Sequence, residues 1–185
     1  PDMVTFTPDD SRILTANEGE PREGYTDGAV DPAGTVTVIT LANGTAVNVD
    51  FTAYDTEENR QQLADAGIVL KKGAAPSADF EPEYVAAGNS TAYVTLQEAN
   101  AIAVINLESR QVSGVYSAGY EDYSRIAVDI DKKDEAYNPA VYESLRGIRM
   151  PDGIALYSVD GVDYVVTANE GDSREWGDYL NEDER

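Results

Sequence analysis

Three aspartates stand close together in a pattern that could hold a metal ion. Asp129, Asp131 and Asp134 form an Asp-x-Asp-x-x-Asp run, and closely spaced carboxylates in a loop are the ligands that calcium prefers. The run departs from the EF-hand pattern, because Lys133 stands at its fifth position and the later Gly and Glu of that motif do not follow. Two interpretations stay open: a calcium site, and a solvated acidic loop whose charge Lys132 and Lys133 partly offset.

A second set of polar residues comes from a repeated pentapeptide. Thr-Ala-Asn-Glu-Gly occurs at residues 15–19 and again at residues 167–171, and a related Thr-Leu-Gln-Glu segment stands at residues 95–98. In one interpretation these side chains coordinate a cation or bond to ligand hydroxyl groups. In the other, Asn and Gly supply turn geometry and Glu satisfies backbone donors. The candidate ligand-binding residues of this set are Asn17, Glu18, Glu98, Asn169 and Glu170.

The last stretch of the chain adds two more candidates. Four acidic residues between positions 170 and 178 surround Arg174 and Trp176. Asp172 and Arg174 are predicted ligand contacts in a binding loop, since Arg and Trp together can contact a sugar or an anion. The alternative is an exposed acidic end of the chain in which a single exposed aromatic residue is unremarkable.

A Pro-acid dipeptide opens three similar segments of the sequence. The three copies are Pro1-Asp2, Pro82-Glu83 and Pro151-Asp152. Proline is tolerated as the first residue of a strand, so the dipeptide predicts where strands begin. A feature that recurs in this way is not expected to be catalytic.

The composition excludes several classes of function. The chain has no His and no Cys, so a metal would be held by oxygen, which favours calcium or magnesium, and a serine triad would lack its base. With 13 Lys and Arg against 35 Asp and Glu, its formal net charge is −22, and such a surface repels nucleic acid and anionic lipid. No apolar run approaches the roughly 18 residues of a membrane span, so no membrane insertion is expected.

The elements that must position these residues are short β-strands. Residues 82–118 contain four β-type runs joined by turn residues, which predicts an antiparallel meander of roughly 40 residues, the size of a propeller blade. A segment near the start repeats the plan, and one near the end supplies two strands. The predicted strands are 3–7, 12–16, 35–41, 46–51, 84–87, 92–97, 101–106, 111–116, 153–157 and 163–168.

The fold class predicted from this pattern is an all-β partial β-propeller of about two and a half four-stranded antiparallel blades. We expect a single fragment of a β-propeller domain in residues 1–185, and we expect other blades of the same protein, or self-association, to cover its open faces. The predicted divisions are a blade at 1–53, an insertion at 54–81, a blade at 82–118, an insertion at 119–150 and a partial blade at 151–185.

The long connections are predicted to emerge on one face. In an up-and-down meander, the links between strands two and three and between blades share one end, and residues 20–34, 54–81, 119–150 and the acidic tail all fall in that set. Two short helices are predicted within them: Glu57–Ala66, capped by Asp55 with Glu58 three residues later, and Asn138–Leu145, with Pro139 in its first turn.

Three stretches carry a resemblance to a known family. Residues 82–85, 92–105 and 167–175 look like the choice-of-anchor I family of large secreted or surface-attached bacterial proteins. These are similar to mesenchyme-specific cell-surface glycoproteins, and some members are labelled alkaline phosphatase. The resemblance implies a propeller, seven-bladed when complete, located outside the cell. It carries over no catalytic residues.

The functional prediction is a module of a secreted or cell-surface protein. Its acidic, loop-rich face would bind a cation, a glycan or a protein partner, with calcium as the expected cofactor if there is one. The alternative is a metal-dependent phosphoesterase that uses calcium or magnesium bound by carboxylates.

Overall fold

The first part of the chain forms one four-stranded sheet. The computed structural model describes residues 1–21, 28–131 and 133–171. In the first sheet each strand pairs antiparallel with the next, and we call this sheet blade 1. Its strands are β1 (Met3–Phe6), β2 (Arg12–Asn17), β3 (Thr35–Thr40) and β4 (Thr45–Asp50).

The segment after blade 1 is helical in two places. A single 3₁₀ turn at Thr52–Tyr54 leads to α1 (Glu57–Asp65), and α2 (Pro76–Asp79) follows. The first predicted helix is confirmed, although its cap is Thr56, whose hydroxyl accepts the Asn59 N–H at 3.2 Å. Asp55 instead accepts hydrogen bonds from the amide and hydroxyl of Ser77, so a tertiary contact replaces the predicted local cap.

A second four-stranded meander, blade 2, has the same order as the first. Beyond it a three-residue strand pair closes the long segment before a final hairpin, which we call blade 3. The strands of this half are β5 (Pro82–Ala87), β6 (Thr91–Leu96), β7 (Ala101–Asn106), β8 (Gln111–Ser117), β9 (Tyr120–Asp122), β10 (Arg146–Ile148), β11 (Pro151–Val159) and β12 (Val162–Asn169). Every predicted strand is present, and the all-β, propeller-like fold class is confirmed.

The helix predicted over residues 138–145 is wrong. Ala140 pairs with Val128 in an isolated antiparallel bridge, and the Tyr142 N–H donates to the Tyr123 carbonyl at 2.8 Å. The backbone groups that a helix would use are therefore committed to the opposite side of the loop. Val141 is also 59% exposed, so a helix here would have little apolar surface to bury.

Strand periodicity explains the core. In β3 the side chains of Val36 and Val38 are buried, and in β2 those of Leu14 and Ala16 are, as expected when alternate residues face one side of a sheet. Blades 1 and 2 share a single buried cluster, which also takes in Leu63 of α1. The interior therefore lies between the sheets.

The first strands of the blades lie next to one another. Strand β5 contacts β1 and β2 on one side and β11 on the other, and the Val85 N–H lies 3.1 Å from the Met3 sulfur. The backbones approach very closely at Gly34, where a Cβ would lie 2.0 Å from the Phe80 carbonyl oxygen. Last strands β4 and β8 also meet. The blades are thus stacked in the propeller manner, with a first-strand side and a last-strand side.

Contacts between loops separate the two ends of the sheets. At one end the short turns meet, since Arg12 forms an ion pair with Glu108 at 2.6 Å and its guanidinium also donates to the Asn89 carbonyl. At the other end the long segments meet, because Lys71 pairs with Asp31 at 2.7 Å and the Tyr120 hydroxyl donates to the Gly67 carbonyl. In the described part of the chain, the long segments thus gather on one face. Among the described residues, none of the helices has the length and apolar character that crossing a bilayer requires.

Candidate functional site

A β-bulge at the start of β5 contains the acidic residue Glu83. Pro82 pairs with Leu96 and Val85 pairs with Val94, so Glu83 and Tyr84 together oppose the single residue Thr95. The Thr95 hydroxyl accepts the Tyr84 N–H at 3.0 Å, which satisfies a donor that the bulge removes from the ladder. Bulges of this kind bend a strand and redirect a side chain, often next to functional sites.

The start of β11 repeats this device. Pro151 pairs with Asn169 and Ile154 with Thr167, so Asp152 and Gly153 oppose Ala168. Pro82 and Pro151 are the first residues of their strands, as predicted. In blade 1 the ladder is regular, and Asp2 precedes β1 with its N–H bonded to the Ala16 carbonyl. The Pro-acid dipeptide therefore marks a bulge in two of its three copies.

The two bulged acids meet between blades 2 and 3. Burial raises the pKa of Glu83 to about 9, with further contributions from a hydrogen bond to the Asp152 carboxyl and from the charges of Glu98, Asp152 and Glu18. At neutral pH the Glu83 carboxyl therefore holds a proton and donates it to Asp152. We call Glu18, Glu83, Glu98 and Asp152 the inner carboxyl cluster.

Glu18 extends this cluster toward blade 1. It follows the last residue of β2 and is half-buried. Burial is the main cause that raises its pKa, followed by the charges of Glu20, Asp2 and Glu81. Carboxylates that raise one another's pKa in this way disfavour their own ionised state, and a bound cation or proton relieves the repulsion.

The asparagines of the repeated pentapeptide form hydrogen bonds to threonine side chains of their own sheets. The Asn17 amide donates to the hydroxyls of Thr35 and Thr37 and its oxygen accepts from Thr15. Asn169 likewise accepts from Thr167 at 2.9 Å. These contacts fit the structural interpretation of the two asparagines, and ligand binding by them stays a prediction.

Glu170 links blade 3 to blade 2. Its N–H donates to the Met150 carbonyl, and its carboxylate accepts from the Gln97 amide at 3.3 Å. Gln97 is the repeat counterpart of the two asparagines and directly precedes Glu98. The structure thus brings Glu18 and Glu98 to the inner carboxyl cluster, with Glu170 bonded beside it. The predicted contacts Asp172 and Arg174 lie outside the described residues.

The aspartates of the 129–134 run point to separate backbone donors. Asp129 accepts the N–H groups of Asp131 and Asn138, and Asp131 accepts the N–H of Lys133. Asp134 accepts the N–H of Ala136. Within residues 1–21, 28–131 and 133–171, no group of three or more acidic side chains is gathered tightly enough to hold a metal ion. The calcium assignment for this run stays a prediction.

Sequence reasoning missed Glu83 and Asp152. The sequence signal for both residues was the Pro-acid dipeptide, which we interpreted only as the start of a strand. In each bulged blade the dipeptide stands opposite the pentapeptide or its related segment. Pro82 pairs with Leu96, the residue before Gln97, and Pro151 pairs with Asn169. Two acidic positions that recur together at the same end of a repeated unit were a detectable sign of a shared acidic site.

Comparison with known proteins gives one match. The profile of the choice-of-anchor I domain matches residues 1–185. No curated protein and no solved structure matches the chain. The match spans both meanders, the final hairpin and every residue of the inner carboxyl cluster. The chain therefore belongs to the choice-of-anchor I family, and this membership implies a bacterial surface or secreted protein.

Proposed function

We propose that this domain binds a divalent cation, calcium in particular, at the inner carboxyl cluster. The proposal is carried by the two bulges that place Glu83 and Asp152 at the starts of neighbouring strands, and by the burial and negative charges that raise the pKa of Glu83 to about 9. The negative charges of Glu98, Asp152 and Glu18 all act on Glu83, although in the described residues the four carboxyl groups are not gathered tightly enough to hold a metal ion unless they move together. A cation would replace the proton that the pair now shares.

Electrostatics favours this exchange. A buried carboxylate is costly unless it is paired with a positive charge or protonated. The cluster is acidic, and the charges named around Glu83 are all negative. Calcium accepts six to eight oxygen ligands in flexible geometry, and four carboxylates can supply most of them. Binding would release the Glu83 proton and draw the four carboxylates closer together.

Calcium is favoured over softer metals by the ligand chemistry. The chain offers neither imidazole nor thiolate, and carboxylates are the ligands of hard cations. Calcium also suits a surface module, since extracellular calcium sites commonly have dissociation constants of roughly 10⁻⁴–10⁻³ M. Glycan or protein binding through the acidic face, and the metal-dependent phosphoesterase alternative, stay predictions. The phosphoesterase would use the same carboxylates as metal ligands, so hydrolysis of p-nitrophenyl phosphate in calcium or magnesium tests it.

Isothermal titration calorimetry tests the cation proposal. Calcium chloride is titrated into the protein at pH 7.0 in two buffers of different ionisation enthalpy. We expect a dissociation constant of roughly 0.1–1 mM and release of about one proton per calcium, because Glu83 must ionise. Glu83→Gln should abolish the proton release and weaken binding about tenfold or more.

A variant of the other acidic region serves as the matched control. In the triple variant Asp129→Asn, Asp131→Asn, Asp134→Asn the loop loses three charges while the inner carboxyl cluster is untouched. We expect this variant to bind calcium as the unaltered protein does. Loss of binding in the triple variant with retention in Glu83→Gln would refute the proposal and place the site in the loop, and no binding up to 10 mM would refute both sites.

A further inference from the structure

A groove runs along the last-strand side of blades 1 and 2, opposite the inner carboxyl cluster. It consists of two neighbouring cavities of about 600 Å³ and about 280 Å³, between the ends of β4 and β8 and the helix α1. Tyr54 and Asn59 line both cavities. Together the cavities have the size and the mixed polar and aromatic lining of a binding cleft for a small molecule or a short polymer segment.

One wall of the groove carries an exposed aromatic ring. Tyr116 on β8 is 60% exposed, and its ring lies across Gly114, where a Cβ would come within 2.9 Å of the ring carbon Cε2. A β-bulge between Val112 and Gly114 alters the strand just before this point. The absence of a side chain at Gly114 therefore lets the ring rest on the strand with its outer face open.

A second aromatic ring is held rigidly by the core. Tyr54 packs edge-to-face on Phe80 with ring centroids 6.1 Å apart. Burial, followed by the nearby Tyr116 phenol, raises the pKa of Tyr54. Two tyrosines with neighbouring hydroxyls thus border the groove, and rigid aromatic rings contribute contact area at small entropic cost.

The polar lining has unused hydrogen-bonding capacity. One guanidinium N–H of Arg110 donates to the Thr40 hydroxyl at 3.2 Å. Its buried Nε has no hydrogen-bond partner in the described part of the chain. Among the described residues Arg110 also forms no ion pair. Asp50 accepts both the amide and hydroxyl of Thr52 through one oxygen, and these bonds hold its pKa below the usual value. A donor and a charged acceptor thus line the same cavity.

We propose that this groove binds a segment of a neutral polysaccharide. Sugar rings present C–H faces that pack on aromatic rings such as Tyr116, and hydroxyl groups that both donate and accept. Arg110, Asp50 and the amides of Asn48 and Gln111 offer both kinds of partner. The guanidinium and the carboxylate balance each other, while the net charge of −22 repels acidic polymers. The proposal is independent of the cation site.

Affinity electrophoresis tests the proposal with defined polymers. The protein is run in native gels containing barley β-glucan, galactomannan, hydroxyethylcellulose or, as the acidic comparison, polygalacturonate. We expect at least one neutral polymer to retard the protein and polygalacturonate to leave it unaffected. Retardation should persist in EDTA, because the groove does not depend on the cation cluster.

Two variants and one control locate the binding. Tyr116→Ala removes the ring, and Gly114→Ala keeps the ring but displaces it, so each should weaken retardation at least fivefold. Tyr157→Ala removes another exposed tyrosine, on β11, which stacks on Tyr164 at 5.3 Å, and should leave retardation unchanged. Circular dichroism confirms that each variant is folded.

Four results would overturn the proposal. Two concern the polymers: no retardation by any neutral polymer, and stronger retardation by polygalacturonate. The other two concern the site: retardation that Tyr157→Ala weakens as much as Tyr116→Ala does, and loss of retardation in EDTA.

Discussion

The two acidic regions of this domain look alike in sequence and differ in physical state. Asp131 and Asp134 are exposed and Asp129 is half-buried, and each of the three accepts a hydrogen bond from a nearby backbone N–H. In the inner carboxyl cluster, Glu83 is partly buried and its carboxyl is bonded to another carboxyl. Each loop carboxylate thus has its own backbone donor, whereas the negative charges around Glu83 favour a proton or a cation there.

The difference comes from the backbone that carries the acids. In the loop, aspartates two residues from a donor form local turns that satisfy each charge separately. In the cluster, two bulged strands from different blades direct their acidic side chains toward the same point. Spacing of acidic residues along the chain is therefore a poor guide to a cation site, and the partners that surround each carboxylate are the better one.

The largest expected effect comes from separating the strands that carry the cluster. Asn100 is fully buried, its amide donates to the Gly119 carbonyl at 3.0 Å, and its oxygen accepts the Met150 N–H at 3.0 Å. It thereby joins the turn after Glu98 to the residue before Pro151. We expect Asn100→Ala to reduce the free energy of unfolding by about 2–4 kcal/mol, since it leaves the Gly119 carbonyl and the buried Met150 N–H without this partner.

Thermal and urea denaturation measure this loss. Asn43→Ala is the control, because Asn43 is exposed and its side chain accepts the Thr45 N–H. We expect this substitution to cost less than about 1 kcal/mol. Equal effects of the two substitutions would show that Asn100 does not hold the cluster region together.

The second effect is on the pH dependence of stability. The pKa of Glu83 is raised from 4.5 to about 9, so the folded state binds a proton that the unfolded state releases above about pH 4.5. The contribution of Glu83 to the free energy of unfolding is therefore fully present below about pH 4.5, and it is lost as the pH rises toward about 9. Glu83→Gln removes this dependence and, allowing for partial solvent screening, should stabilise the protein at pH 8 by about 1–3 kcal/mol.

Melting temperatures at pH 5 and pH 8 distinguish the two regions. The difference between Glu83→Gln and the unaltered protein should grow with pH, whereas Asp129→Asn should show no such trend. A Glu83→Gln variant that is less stable than the unaltered protein at pH 8 would contradict a protonated Glu83.

The third effect is on calcium affinity. Because binding displaces the Glu83 proton, raising the pH favours calcium binding. The apparent affinity should increase about tenfold for each unit by which the pH is raised, up to about pH 9. Calorimetry at pH 6 and pH 7 should show this change. A calcium affinity that does not change between pH 6 and pH 7 would contradict a site whose occupation displaces the Glu83 proton.

The smallest effect is expected in the loop. Asp129→Ala removes the acceptor for the N–H groups of Asp131 and Asn138. Because the loop is exposed, the free energy of unfolding should fall by only about 0.5–1 kcal/mol. Calcium affinity, measured by the same calorimetry, should not change. A loss of calcium binding in this variant would reverse the comparison.

The sequence predicted the elements of the fold well because they are local. Alternation of apolar residues in β3 and the Asp160-Gly161 turn, where both residues have positive φ, are readable without a partner. The prediction of a helix at 138–145 failed because the backbone of this segment pairs with Val128 and Tyr123. No local sequence pattern indicates that pairing.

The candidate site was predicted only in part for the same reason. Glu18 and Glu98 were found because their segments repeat. Glu83 and Asp152 were not, because their importance depends on two bulges and on the stacking of blade 2 against blade 3. Such contacts between distant residues are set by tertiary packing, which spacing along the chain does not encode.

Direct titration of the Glu83 carboxyl by NMR tests the central claim. In protein labelled with ¹³C at the glutamate side-chain carboxyls, Glu83→Gln assigns the Glu83 resonance by its disappearance. In calcium-free buffer we predict that this resonance titrates with a pKa of about 9. A pKa near 4.5 would contradict the account, since Glu83 would then be an ordinary solvated carboxylate and the inner carboxyl cluster would not hold a shared proton.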